Sequence, residues 1–89
     1  MTKVEFKQIV ADGVSRGKEF LVVKIETEGN PGAEIILNPS ANVVAKMAYY
    51  DKAYNDGLEL IAAKNTGKLI QITDALMTSN LNDLNWFVY

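Results

Sequence analysis

Alternating apolar and polar positions predict strands in the middle of the chain. The clearest segment is residues 19–28, EFLVVKIETE, in which Leu21, Val23 and Ile25 face one way and the residues between them face the other. Residues 33–37, AEIIL, follow a Gly-Asn-Pro-Gly turn and predict a further short strand. A tight turn between two such segments indicates antiparallel pairing.

The N-terminal segment, residues 3–10, fits two patterns. Its sequence KVEFKQIV alternates charged and apolar residues, and we favour a strand because Asp12-Gly13 would then begin a loop into the next strand. The alternative is a helix. Thr2 and Glu5 have the spacing of a capping box, and three apolar residues of the segment would share one helix face.

Beyond the third strand the apolar spacing becomes helical. Asn38 or Ser40 would cap this helix, Pro39 suits its first position, and Gly57 suits its C-terminal end. Intervals of four, three and four residues form one apolar stripe, which we expect to pack on the sheet: Val43, Met47, Tyr50 and Tyr54.

Two more apolar segments follow this helix. Residues 58–63, LELIAA, and residues 68–73, KLIQIT, flank Asn65-Thr66-Gly67 and predict a hairpin of a fourth and a fifth strand. The element order is therefore βββ-α-ββ. It predicts one α+β domain over residues 1–89, with a mostly antiparallel sheet of about five strands and one helix packed on a face.

The C-terminal segment has two interpretations. A helix capped by Thr73 or Asp74 would align an apolar stripe and turn Trp86 to water. A turn at residues 80–83 followed by a strand would instead place Trp86 and Val88 on one face, with the neighbouring aromatics on the other. Either the helix or the strand leaves at least one large aromatic that so small a domain can hardly cover.

The composition argues against common catalytic chemistry. The chain has neither histidine nor cysteine, which removes the usual partners for proton transfer near neutral pH, for thiol nucleophiles and for zinc. We expect no enzyme activity, no cofactor and no metal site. The first ten residues contain no apolar run typical of a secretion signal, so we expect a cytoplasmic protein without membrane contact.

A protein–protein surface is the remaining hypothesis. Tyr49 lies off the helical stripe and should be exposed, and tyrosine and tryptophan are enriched in contact surfaces. The candidate surface residues are Tyr49, Trp86, Phe87 and Tyr89. The alternative is weak nucleic-acid binding by a basic N-terminal hairpin, whose phosphate contacts would be Lys3, Lys7, Arg16, Lys18 and Lys24.

Two neighbouring stretches carry a resemblance to a known group of proteins. Residues 34–39, EIILNP, and residues 46–54, KMAYYDKAY, resemble short uncharacterised proteins encoded in phages and prophages of low-GC Gram-positive bacteria. The resemblance implies a small cytoplasmic accessory protein that binds a host or phage protein, or a second copy of itself. It implies no catalytic residue.

Overall fold

Three antiparallel strands form the sheet in the computed structural model, which describes residues 1–88. The central strand β1, Phe20–Thr27, lies between β2, Glu34–Pro39, and β3, Ile70–Thr78. Val23 lies opposite residues of both neighbouring strands, so its position is the middle of the sheet. The predicted α+β class and antiparallel pairing are confirmed, but the prediction of five strands is wrong.

The first predicted strand is a helix, α1, Lys3–Ser15. Thr2 and Glu5 form the capping box: the Glu5 N–H donates to Thr2 Oγ1 over 3.2 Å, and the Thr2 N–H donates to Glu5 Oε1 over 3.0 Å. Phe6 and Val10 are buried on the same side of this helix. Two apolar residues at a spacing of four outweigh the short charge alternation, which only happens to resemble a strand.

The predicted central helix is present as α2, Val43–Ala53, and its apolar stripe faces the core. A short 3-10 turn, Ser40–Asn42, precedes it, and Asn42 is its N-cap without a side-chain hydrogen bond. The predicted caps Asn38 and Ser40 are therefore wrong. The predicted end at Gly57 is also wrong, because the backbone is already extended at Tyr54.

The predicted fourth strand is largely absent. Residues 59 and 60 form only single bridges, Glu59 with Gln71 and Leu60 with Tyr54, and the chain then turns into a 3-10 helix, Ile61–Thr66. Alanine, lysine and asparagine, which occupy positions 62–65, are poor strand formers. The fifth predicted strand is confirmed as the start of β3, which continues five residues beyond position 73 to Thr78.

The C-terminal segment matches neither prediction in full. Residues from position 73 to Thr78 belong to β3, so a helix starting at Thr73 or Asp74 is wrong. A 3-10 turn, Leu81–Asp83, and a short helix α3, Leu84–Phe87, follow in place of the alternative strand. Cross-strand pairing with β1 holds positions 74–78 extended, which the local apolar stripe could not reveal.

The two faces of the sheet are covered differently. Leu21, Val23 and Ile25 of β1 join α1 and α2 in the main core. Val22 points to the opposite face and is also fully buried, although it lies outside that core. Among residues 1–88, none of the helices combines the length and the apolar character needed to cross a membrane.

Candidate protein-binding surface

An apolar groove lies beside α2. One wall comes from α2 and the other from the start of the 3-10 helix Ile61–Thr66, and the groove, which is open to solvent, has a volume of about 550 Å³. Tyr49 and Ile61 remain 53% and 50% exposed, which is high for such large side chains. The lining residues are Tyr49, Lys52, Ala53, Leu60, Ile61 and Ala62. We call this surface the α2 groove.

The α2 wall is fixed from below by buried aromatics. Tyr50 is 2% exposed and packs edge-on against Phe6 at 5.6 Å between ring centroids. Tyr49 in turn packs edge-on against Tyr50 at 5.5 Å, and the Lys46 ammonium lies 5.9 Å from the Tyr49 ring centre. These contacts hold the Tyr49 ring in a defined position while its outer part stays open to solvent.

A hydrogen-bonded loop fixes the opposite wall. Asn55 Oδ1 accepts from the backbone N–H groups of Gly57 and Glu59, at 3.1 and 2.9 Å, and its amide donates to the Glu59 carboxylate. The Leu60 N–H donates to the carbonyl of Ile70 in β3 over 2.8 Å. This wall is therefore anchored to the sheet, although much of it has no regular secondary structure.

Leu58, within that loop, adopts a backbone conformation uncommon for its residue type. Its φ is +60°, in the left-handed region, and its side chain is fully buried in the core. The Leu58 carbonyl accepts from the Ile72 N–H over 2.9 Å. Burial and this hydrogen bond offset the strain, which is of order 1 kcal/mol.

Lys52 gives the lining of the α2 groove one positive charge. A hydrogen bond from Asn55 and the neighbouring Lys64 lower the pKa of Glu59, so this acid stays ionised and paired. Lys52 lines the groove and Lys46 lies at Tyr49, and neither forms an ion pair within residues 1–88. The groove thus combines an apolar floor with unpaired positive charge.

The structure places the aromatic residues of the predicted C-terminal surface in different environments. Trp86 is 60% exposed, whereas the adjacent Phe87 is 3% exposed and belongs to the interior. Phe87 therefore cannot serve as a contact residue in this fold. Tyr89, also predicted for the surface, lies outside the described residues.

Tyr49 and Trp86 lie on opposite sides of the sheet. Met77 faces the main core, so Thr78, the next residue in the strand, faces the other way. Asp83 Oδ2 accepts from Thr78 Oγ1 over 2.6 Å, which ties the segment carrying Trp86 to that second face. The structure therefore does not bring these two predicted residues together.

The predicted basic hairpin does not exist, because residues 3–15 are helical. Lys7 and Lys3 lie 2.7 and 3.6 Å from Asp51, and hydrogen bonding and charge attraction from Lys7, with Lys3, lower the pKa of this carboxyl. Arg16 pairs with Asp12 over 3.1 Å.

The remaining two predicted cations lie elsewhere. Lys18 sits in the loop after α1, and Lys24 lies on the face of β1 opposite the main core. Arg16 and Lys18 line one shallow pocket, and Lys3 and Lys7 share Asp51, so the cations are distributed over separate places and not along one hairpin.

The second wall of the α2 groove is not predictable from local patterns. The apolar run through residues 60–62 predicts a strand, and it gives no sign that a 3-10 turn will leave Ile61 exposed. The exposure of Tyr49 is predictable, because its position off the helical stripe is a local property.

No family model, curated protein or solved structure matches this chain. A functional assignment therefore depends on the geometry of the surface and on the chemistry of its residues.

Proposed function

We propose that the protein is a non-enzymatic accessory protein, of the kind that phages and prophages encode, and that it acts by binding another protein at the α2 groove. The observation that carries the proposal is the pair Tyr49 and Ile61, two large, half-exposed side chains that line one groove, the first from α2 and the second from the 3-10 helix Ile61–Thr66. The resemblance of residues 34–39 and 46–54 to phage and prophage proteins supports the biological setting.

The energetics of the α2 groove favour a bound partner. Covering apolar surface contributes roughly 25 cal/mol per Å², and tyrosine is among the residues that most often dominate binding energy. Both walls are already fixed, one by Tyr50 and the other by Asn55. A partner therefore loses little free energy to ordering this protein.

The lining also indicates the chemistry of the partner. An apolar side chain would fill the space between Tyr49 and Ile61, and a carboxylate beside it would meet Lys52 at the rim. We therefore infer a partner segment that carries an apolar anchor next to an acidic residue.

The composition of the α2 groove supports a binding role over a catalytic one. The titratable side chains among its lining residues are Tyr49 and Lys52. The chain has no histidine or cysteine, so the common acid–base and nucleophile pairs cannot be assembled there.

Site-specific photocrosslinking tests the proposal. Tyr49 is replaced by the photoreactive analogue p-benzoylphenylalanine in cells of a low-GC Gram-positive host. The matched control carries the analogue at Val44, which is 85% exposed on the same helix but does not line the groove. A third protein combines the analogue at position 49 with Ile61→Asp, which removes the apolar side chain of the facing wall.

The proposal requires one defined heterologous product from position 49, its absence from position 44, and its loss with Ile61→Asp. Equal products from both positions, or none from position 49, would show that the α2 groove is not a binding site.

A further inference from the structure

The outer edge of β2 is a free strand edge. β2 pairs with β1 on one side, and within residues 1–88 no strand or loop hydrogen-bonds to its other side. Natural edge strands are often protected by lysine, proline or a bulge. Positions 35–38 of β2 carry no charge and no proline, while Glu34 and Pro39 mark its two ends.

The pairing with β1 determines which backbone groups point outward. The Ser40 N–H donates to the Glu19 carbonyl over 2.8 Å, and the register places these two residues opposite each other, so they mark a hydrogen-bonded position of the ladder. Such pairs alternate along an antiparallel ladder. The register then turns the N–H and C=O groups of Ile36 inward and those of Ile35 and Leu37 outward.

Pro39 also has an outward position in this ladder, but it offers only a carbonyl. Because Pro39 has no N–H, it disfavours one of the two symmetric registers in which a second copy of β2 could pair with this edge. If Leu37 faced its own copy, Pro39 would lie opposite Ile35 and could not donate to it. If Ile36 faces its own copy, Ile35 lies opposite Leu37 of the other chain, and each pair exchanges two hydrogen bonds.

We propose that β2 pairs with β2 of a second copy, antiparallel and with the two-fold axis at Ile36, to form a continuous six-stranded sheet. Four hydrogen bonds satisfy every outward N–H and C=O of Ile35 and Leu37 in both copies. Glu34 lies opposite Asn38 of the other chain, so no like charges meet across the edge.

Side-chain positions support the same register. Leu37 is 41% exposed, and it lies with Ile35 on the sheet face opposite the main core, because their β1 partners are Val22 and Lys24. In the dimer, Ile35 and Leu37 of opposite chains become direct cross-strand neighbours. No residue of β2 lines the α2 groove, so this proposal does not depend on the function of the groove.

Sedimentation equilibrium and light scattering test this dimer, with the wild-type chain measured up to about 1 mM, where even weak complexes are formed. Ile35→Pro removes an outward N–H and leaves the inward bonds to β1 in place. Leu37→Lys places a charge at the edge. Val44→Lys is the matched control, since Val44 is 85% exposed on α2 and not part of β2. Circular dichroism establishes that each variant is folded.

We expect the wild type and Val44→Lys to show twice the 9.8 kDa mass of one chain. Ile35→Pro should weaken association by roughly 30-fold, because two of the four hydrogen bonds are lost, one from each copy. Leu37→Lys should give monomers. A wild-type chain that stays at 9.8 kDa, or a dimer that both edge variants leave intact, overturns the proposal.

Discussion

Gly13 of α1 lies directly against Met77 of β3. A methyl group on Gly13 would overlap the Cβ and Cγ atoms of Met77, so only glycine allows the helix to approach the strand this closely. The backbone of Gly13 is ordinary helix, without a positive φ. The residue is therefore required for space and not for conformation.

Gly13→Ala should destabilise the protein despite improving helix propensity. Alanine in a helix gains about 1 kcal/mol over glycine, whereas overpacking costs about 1–3 kcal/mol, and here the overlapping atom is attached to a strand backbone that cannot rotate away. The overlap with the Met77 Cβ places the cost in the upper part of that range, about 2–3 kcal/mol, so we expect a net loss of roughly 1–2 kcal/mol in urea unfolding. Gly57→Ala is the control, because its new Cβ would meet only Asn55 Oδ1 at 3.6 Å. A Gly13 variant as stable as this control would show that α1 does not pack so closely.

Truncating two adjacent aromatic side chains should change the unfolding free energy by very different amounts. Phe87→Ala removes a buried ring and should cost about 3–5 kcal/mol in unfolding free energy. Trp86→Ala removes an exposed ring and should change stability by about 0.5 kcal/mol or less. Chemical denaturation of both variants measures the difference. Equal losses would mean that Trp86 is also part of the interior.

Tryptophan fluorescence gives an independent check on Trp86. It is the only tryptophan, and its side chain is 60% exposed with its indole N–H 3.5 Å from Asp83 Oδ1. We expect emission at long wavelength and strong quenching by acrylamide in the native protein. Blue emission that resists quenching at low protein concentration would contradict the exposed position.

Asn55 should control the shape of the α2 groove. Asn55→Ala removes two accepted hydrogen bonds and one donated bond, and it should cost about 1–3 kcal/mol, since the freed backbone groups lie in a partly buried loop. Asn65→Ala is the matched control, because Asn65 is exposed. Hydrogen exchange of the Gly57 and Glu59 amides measures the effect. Unchanged protection in Asn55→Ala would show that another contact holds the loop.

Stability should fall in strongly alkaline solution. Burial raises the pKa of Tyr54 to about 12, above the value near 10 of the unfolded chain, with smaller contributions from neighbouring groups. The folded state then binds a proton that the unfolded state has released, so this stabilisation is present below pH 10 and is lost as the pH rises toward 12. The slope should be of order 1 kcal/mol per pH unit.

Tyr54→Phe should flatten that slope without removing it, because burial also raises the pKa of Tyr50. Urea unfolding at several alkaline pH values measures the slope, and phenolate absorbance reports the ionisation itself. Identical slopes for the wild type and the variant would contradict a buried Tyr54 hydroxyl.

Local patterns predicted those parts of the fold that local forces determine. The periodicity of β1 and of the apolar stripe of α2 is long and unbroken, which predicts both elements. The Gly-Asn-Pro-Gly turn before the short apolar run predicts β2. The prediction for α1 was wrong because two patterns overlap in one segment, and the capping box together with the apolar pair Phe6 and Val10 outweighs the charge alternation. The end of β3 was missed because pairing with β1 holds it extended.

Local patterns likewise predict only that part of the candidate surface which local structure determines. The exposure of Tyr49 follows from its angle on one helix, which the sequence contains. The exposure of Ile61 depends on a loop closed by Asn55 and on bridges to β3, which are long-range features. Burial of Phe87 likewise depends on how the C-terminal segment folds back through Asp83 and Thr78.

Isothermal titration calorimetry with the partner protein, identified by crosslinking through position 49, tests the central claim most directly. The purified partner is titrated into the wild type, into Ile61→Asp and into the control Val44→Asp, with folding of each variant established beforehand. We predict that Ile61→Asp weakens binding by at least about 100-fold, since a charge would replace one of the two large, half-exposed side chains that line the groove, while Val44→Asp binds as the wild type does. An Ile61→Asp variant that retains wild-type affinity would show that the α2 groove is not where this protein binds its partner.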